Sequence, residues 1–280
     1  MPKRRSLVRQ VQDKLTEKIR YGESRHLAKQ TGAEKTGIHS RNTYNSYLKL
    51  ASKFVKWSRE NYHCRDLADT RQYVDEYLKI CIDKYSPSTQ KSVASALATV
   101  FDCSTKNFIQ TENRHRSNIT RSRQNKAKFS EKNNKEFIEF CKATGLRRSE
   151  VVKLKPEQLI EQKEQAEVKY FLRVKGKGGR IRTLPILSME AVERIKATPD
   201  GQRVWLNVPK KADIHRYRAE YAKSIYSQHA RPLESIPKSD RYYCRKDLKG
   251  TLYDKQAMKI ASEALGHSRI DIIASHYLWT

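Results

Sequence analysis

Across 280 residues, 58 Lys and Arg oppose 31 Asp and Glu, and the formal charge of +27 is well beyond what solubility asks of a surface. The cations run through the whole chain rather than forming one tail, so the expected partner is a polyanion with a long footprint, nucleic acid first. No stretch approaches the roughly 18 apolar residues of a membrane span, and the basic start Met1 to Arg5 is followed by no apolar run, so a cytoplasmic protein is expected. Cys64, Cys81, Cys103, Cys141 and Cys244 are odd in number, widely spaced and without a C-x-x-C pair. They suggest neither a disulfide framework nor a zinc ribbon, and no metal site is expected.

The length suits two domains. Val8, Val11, Leu15 and Ile19 recur at three- and four-residue steps and predict a helix from Leu7 to about Ile19, with Gly22 ending it. A second helix is predicted from Arg41 to Ser58, with Tyr44, Tyr47, Leu48, Ala51, Phe54 and Val55 on one stripe. A third begins near Thr70, and a fourth follows Ser86-Pro87, an N-cap and a first helical residue that suit their places. Residues 1–104 therefore read as a helical domain with a basic N-terminal arm. Residues 105–130 hold Lys106, Arg114, Arg116, Arg121, Arg123, Lys126 and Lys128 against one acid, Glu112, and read as a basic linker, either solvated or tracking a duplex.

Residues 131–280 form the second predicted domain. It opens with a helix near Asn133 to Lys142, a break at Thr144-Gly145, and a helix carrying Arg147 and Glu150. Val168, Tyr170, Leu172 and Val174 alternate with Lys169, Phe171, Arg173 and Lys175, which predicts a strand with one apolar and one mostly cationic face. Gly178-Gly179 suits a two-residue hairpin turn, and counting outwards from it places Lys175, Lys177, Arg180 and Arg182 on one face as candidate DNA contacts. Further helices are expected near 213–227, 254–264 and 270–279. The fold class is mainly α with a small antiparallel sheet.

Cleavage of a phosphodiester by a protein nucleophile passes through a five-coordinate phosphorus with added negative charge, which fixed cations stabilise. Arginine suits this role because its planar fork donates two hydrogen bonds and stays charged. Arg147 and Arg218 are the candidates, with Glu150 one turn after Arg147 as its orienting partner. His215 precedes Arg218 by three residues, and His267 follows Gly266, where a helix ends. Lys177 at the hairpin tip is the candidate proton donor to the departing 5′ oxygen, with Lys175 its rival. Tyr277 is the candidate nucleophile, since a phenol of pKa about 10 becomes reactive when cations stabilise its anion.

The order Thr144-Gly145-Leu146-Arg147-Arg148-Ser149-Glu150, the Gly176-Lys177-Gly178 hairpin, His215-x-x-Arg218, Leu265-Gly266-His267 and Tyr277 resembles the tyrosine recombinases, the phage integrase family. The resemblance implies a helical core-binding domain and a catalytic domain forming a C-shaped clamp on double-stranded DNA. It also implies strand exchange through a covalent 3′-phosphotyrosyl intermediate without metal or nucleotide cofactor. By the same resemblance Arg147, Lys177, His215, Arg218 and His267 are activating residues, Glu150 an acidic neighbour and Tyr277 the nucleophile. A tetramer on two DNA sites, DNA-bending accessory proteins and a mobile-element role are implied as well. Type IB topoisomerase action and an inactive DNA-binding accessory are the alternatives. The step from His267 to Tyr277 is ten residues where nine is usual, which raises His276 as a second candidate. Ala219 stands where many members have a second His, and Ser239 to Gly250 is expected to be a surface loop.

Overall fold

The structure, a computed structural model, describes residues 5–23, 25–30, 37–115, 129–164, 167–176 and 179–278. By contact the chain divides into two units, Met1–Ile119 and Thr120–Thr280.

The first unit contains α1 (Leu7–Glu17), α2 (Arg25–Gln30), α3 (Arg41–Tyr62), α4 (Leu67–Thr70), α5 (Val74–Lys84) and α6 (Pro87–Val100). Ser6 starts α1 by accepting the Arg9 N–H at 3.3 Å, and Leu7, Val11 and Leu15 form its buried face. Ile19, expected to close that face, lies beyond the helix end and forms a parallel bridge with Ile38. α3 stops at His63 in the left-handed conformation, and α6 starts at Ser86-Pro87 as predicted. Phe54 is fully buried, with Tyr77 and Phe101 edge-on to it at 5.3 and 6.2 Å. Burying a side chain of this size contributes about 1.5–3 kcal/mol, so this cluster is a main source of the unit's stability.

The start of the basic stretch belongs to this unit. Phe108 is buried beneath the Arg71 guanidinium, 4.7 Å from its ring, and the Ile109 N–H donates to Asp75 Oδ1 at 3.0 Å. Glu112 and Gln90 exchange two hydrogen bonds, at 2.7 and 3.1 Å. A single buried aromatic and one buried amide are enough to fold this part of the supposed linker onto α5 and α6. Arg116, Arg121, Arg123, Lys126 and Lys128 lie outside the described residues.

The second unit runs α7 (Lys135–Thr144), α8 (Arg148–Val151), β1 (Leu159–Glu164), β2 (Glu167–Lys175), β3 (Ile181–Pro185), α9 (Met189–Lys196), α10 (Ile214–His229), β4 (Arg241–Tyr243), β5 (Leu252–Asp254), α11 (Lys255–Leu265) and α12 (Asp271–Ile273), followed by a π-type turn over Ala274–Leu278. α10 packs against α7, α11 and the final turn, and its Tyr217, Arg218 and Tyr221 are among the most deeply buried side chains. Leu146, Val151, Leu154, Leu172, Leu184, Met258 and Leu265 complete the core around it. β1, α9 and the β4–β5 hairpin are additions to the elements predicted from sequence. The second of these hairpin strands, with β4, turns part of Ser239 to Gly250 from a loop into a paired segment.

The sheet order is β1-β2-β3, antiparallel throughout. Its register corrects the expected cationic face. Lys175 pairs with Ile181 and Val174 with Arg182, and the Gly176 N–H donates to the Arg180 carbonyl at 2.7 Å. Three residues therefore stand between Gly176 and Arg180 in place of a two-residue turn. This one-residue slip sends Arg182 to the opposite face, where it is buried beside Val174 and Leu184. Lys175 and Arg180 are exposed, whereas Lys177 and Gly178 lie outside the described residues.

Gly145 ends α7 at φ +55, and a Cβ there would sit 2.3 Å from the Tyr221 ring, whose hydroxyl donates to the Pro185 carbonyl at 2.8 Å. Gly145→Ala is therefore expected to destabilise the second unit by about 2–4 kcal/mol through backbone strain and overpacking. Urea unfolding measures this, and an unchanged midpoint would contradict the packing described.

Candidate active site

The site is built on the C-terminal end of α11. This helix starts at Asp254, whose carboxylate accepts the Gln256 N–H at 2.9 Å and is held by Arg231 at 2.7 and 2.8 Å. It ends at Gly266, φ +70, where the Gly266 N–H donates to the Glu263 carbonyl at 2.8 Å and the His267 N–H to the Ser262 carbonyl at 2.9 Å. That paired closure satisfies two of the four terminal carbonyls and leaves those of Ala264 and Leu265 for side chains. Ala264 accepts Arg182 Nε at 2.9 Å, and Leu265 accepts both Arg147 Nη2, at 3.2 Å, and Arg218 Nη2. Three guanidiniums meet at the negative end of one helix dipole, which favours cations by about 0.3–1 kcal/mol each.

Arg218 is 1% exposed. It donates to the carbonyls of Gly145 and Leu265, and its Nε stands 3.4 Å from the Tyr277 hydroxyl. None of these partners is an anion, and among the described residues no carboxylate pairs with it. Arg147 follows buried Leu146 at the start of α8, and its side chain remains partly open to solvent. Glu150 holds it as the spacing predicted, with Arg147 Nη1 to Oε1 at 2.9 Å and the Arg147 N–H to Oε2 at 2.8 Å. The adjacent Arg148 turns elsewhere, to the carbonyls of Pro209 and Ala212 at 2.8 and 2.7 Å, and fixes the segment entering α10. His215 is exposed in the first turn of α10, one turn before Arg218.

Tyr277 is buried at the end of the chain's last helical stretch, with its hydroxyl 3.1 Å from His267 Nε2. The ten-residue step is absorbed by the π-type turn over Ala274–Leu278, because one extra residue in a helix widens a turn without rotating the rest. His276 is exposed, and it is the Tyr277 hydroxyl that joins the histidine and the arginine. The structure thus brings together Arg147, Glu150, Arg218, His267 and Tyr277. Arg182 joins them from the interior and was not expected there. The signal that finds it is period two: Arg182 shares a strand face with Leu184, two residues on, and Leu184 is core.

Burial opposes the Glu150 charge, but hydrogen bonds from Arg182 and the Arg147 N–H outweigh it and hold the carboxyl at about 2. Burial also pushes Arg218 down, to about 10, so it remains charged at neutral pH. His267 is pushed down to about 4, by burial first and then by the charges of Arg218, Arg147 and Arg182. Its imidazole is therefore neutral beside the phenol. Since the unfolded chain takes up this proton near 6.5 and the folded chain only near 4, the contribution of His267 to stability falls as pH drops between those values. In an NMR titration of the DNA-free protein, the His267 midpoint is expected near 4, and a midpoint of about 6 or above would contradict this environment.

The phage integrase family model matches residues 118–279, more than half of the chain. Two solved structures share the fold. One is the XerH site-specific recombinase bound to difH substrate in a pre-cleavage complex, at 15% identity and TM-score 0.50 over 96% of this chain and 91% of that one. The other is XerH with a palindromic difH substrate in a post-cleavage complex, at 15% identity and TM-score 0.53 over 98% and 91%. The Tn1549 transposon integrase with circular intermediate DNA aligns at 12% identity over 98% and 96%, with a TM-score of 0.44 that adds nothing to the fold assignment. No curated protein matches the chain. With its matched region spanning the arginines, the histidines and the tyrosine just described, the chain belongs to the phage integrase family, the tyrosine recombinases.

Proposed function

We propose that this recombinase cleaves and rejoins DNA strands with Tyr277 as nucleophile, integrating and excising mobile DNA. The observation that carries the reading is the Tyr277 hydroxyl, set 3.1 Å from His267 Nε2 and 3.4 Å from Arg218 Nε. In the cleavage step the phenol oxygen bonds to phosphorus, the bond to the 5′ oxygen breaks, and the strand is left as a 3′-phosphotyrosyl ester. His267 Nε2 takes the phenol proton, and Lys177 supplies one to the departing 5′ oxygen. A 5′ hydroxyl from another strand then reverses the chemistry, and the ester conserves the bond energy, so no nucleotide is consumed.

Charge supports these roles. Arg147, Arg182 and Arg218 against Glu150 leave two positive charges in excess around the hydroxyl. That matches the two negative charges of a five-coordinate phosphorus intermediate. An incoming phosphodiester also offsets the arginine charges that, after burial, hold the His267 pKa down, and so raises its basicity when the phenol must lose a proton. Arg147, partly exposed, and His215, on the same helix as Arg218, are assigned to the phosphate oxygens. Lys175, exposed at the end of β2, and Arg180, exposed just before β3, are assigned to the DNA backbone. The helical unit, the catalytic unit and the basic residues that join them in sequence are all assigned to double-stranded DNA, and four copies assemble on two sites, with DNA-bending proteins as helpers. No described helix is long and apolar enough to cross a membrane, and the place of action is the cytoplasm, at the nucleoid.

A nicked suicide duplex bearing the element end tests the reading. Wild-type protein is expected to form a covalent adduct. Tyr277→Phe should form none while binding within about threefold of wild type, and Arg147→Ala should slow the adduct by about 10²–10³-fold. An adduct retained in Tyr277→Phe would contradict the assignment, and adducts on any sequence with relaxation of supercoils would indicate topoisomerase action. Duplex affinity should fall by about 10³–10⁵ between 50 and 200 mM salt if the charge of +27 engages phosphates as proposed. A shallow dependence would contradict that use of the charge.

A further inference from the structure

Arg182 is 8% exposed, and each of its guanidinium nitrogens has a partner. Nη1 donates to Glu150 Oε1 and Nη2 to Oε2, both at 2.8 Å, and Nε donates to the Ala264 carbonyl at 2.9 Å. The same two carboxylate oxygens receive Arg147, through its side chain at 2.9 Å and its N–H at 2.8 Å. On the other side a Cβ at Gly266 would lie 2.7 Å from Arg182 Cδ, so the turn that delivers His267 rests directly on this side chain.

We propose that Arg182 is a positioning residue for strand cleavage: one buried guanidinium ties the Arg147–Glu150 pair to the Ala264–Gly266 turn, so that the arginine and the histidine of the site are set by a common part. The proposal rests on the cleavage reading given above. A purely structural ion pair would need only Glu150. Arg182 spends its third donor on the backbone two residues before Gly266, and the glycine leaves room for that approach. A DNA contact would need an open guanidinium, and this one is enclosed. Lysine cannot replace it, because one ammonium cannot make two parallel bonds to a carboxylate and a third, divergent one to a carbonyl. A displacement of about 1 Å at reacting groups lowers rates by about 10²-fold, so loss of this tie should appear in the chemical step.

The test uses the full chain with Arg182→Lys and with the double variant Glu150→Gln/Arg182→Met, which removes both buried charges and guards against unfolding caused by one left alone. Single-turnover adduct formation and duplex affinity are measured on the same nicked DNA. Folded Arg182→Lys is expected to bind within about threefold of wild type and to form adduct about 100-fold more slowly, with the double variant slowed at least as much. Cleavage by either folded variant within about threefold of wild type would overturn the proposal. A rate loss matched by an equal loss of affinity would overturn it too, by making Arg182 a DNA contact. Absence of adduct from wild-type protein would count against the cleavage reading instead, and the DNA-free protein then decides. The imidazole ¹⁵N resonances of His267 and the Nε resonance of Arg147 should both move in Arg182→Lys, and resonances unmoved in both would overturn the positioning role.

Discussion

Two backbone carbonyls, those of Ala264 and Leu265 at the end of α11, hold the site together. A helix leaves its last carbonyls unpaired, and a buried polar group without a partner costs about 1–3 kcal/mol. Here the closure at Gly266 satisfies the carbonyls of Ser262 and Glu263, and three arginines satisfy the other two. The bonds serve both sides, since a buried guanidinium needs acceptors as much as a buried carbonyl needs donors. What remains is a fixed surplus of positive charge around a phenol, assembled before any substrate arrives.

The rest of the second unit brings four segments to that helix end. α10 carries Arg218 inward from a core helix, the Gly145 break turns Leu146 into the core and Arg147 toward the site, and β3 supplies Arg182 from the sheet. The final helical stretch returns to place Tyr277 over His267, with a π-type turn taking up the additional residue. Glu150 is the only carboxylate bonded to these arginines among the described residues, and it is shared between two of them. That sharing leaves two positive charges in excess among the four groups, with Arg218 bonded to the carbonyls of Gly145 and Leu265 and facing the Tyr277 hydroxyl.

Much of this could be read from the residue order. Arg147 and Glu150 are three residues apart, and with Arg147 as the extended cap of α8 that spacing lets the Glu150 carboxylate reach back to both its N–H and its guanidinium. The long helices of the first unit follow from apolar periodicity, and Ser86-Pro87 marks a start by capping chemistry. Arg182 was legible only in part. Its face depends on whether the β2–β3 turn has two or three residues, and the pair Gly178-Gly179 fits either length. β1 was hidden because Glu161, Gln162, Lys163 and Glu164 follow two apolar residues without alternation. β4 and β5 are three residues each, too short for any period to show. Residues 105–112 resemble linker because composition averages over a window, whereas buried Phe108 and the hydrogen bonds of Ile109 and Glu112 hold the segment in place.

Composition and site therefore speak to the same chemistry at two scales. The charge of +27 suits a partner with phosphates along its length, and the arginines at the end of α11 suit one phosphate in particular. The most direct measurement is to locate the covalent bond itself. Wild-type protein trapped on a nicked duplex is digested with protease and nuclease, and the surviving peptide carrying a nucleotide is sequenced by mass spectrometry. The 3′-phosphate is expected on Tyr277. A nucleotide on His276 or on any other residue would contradict the account.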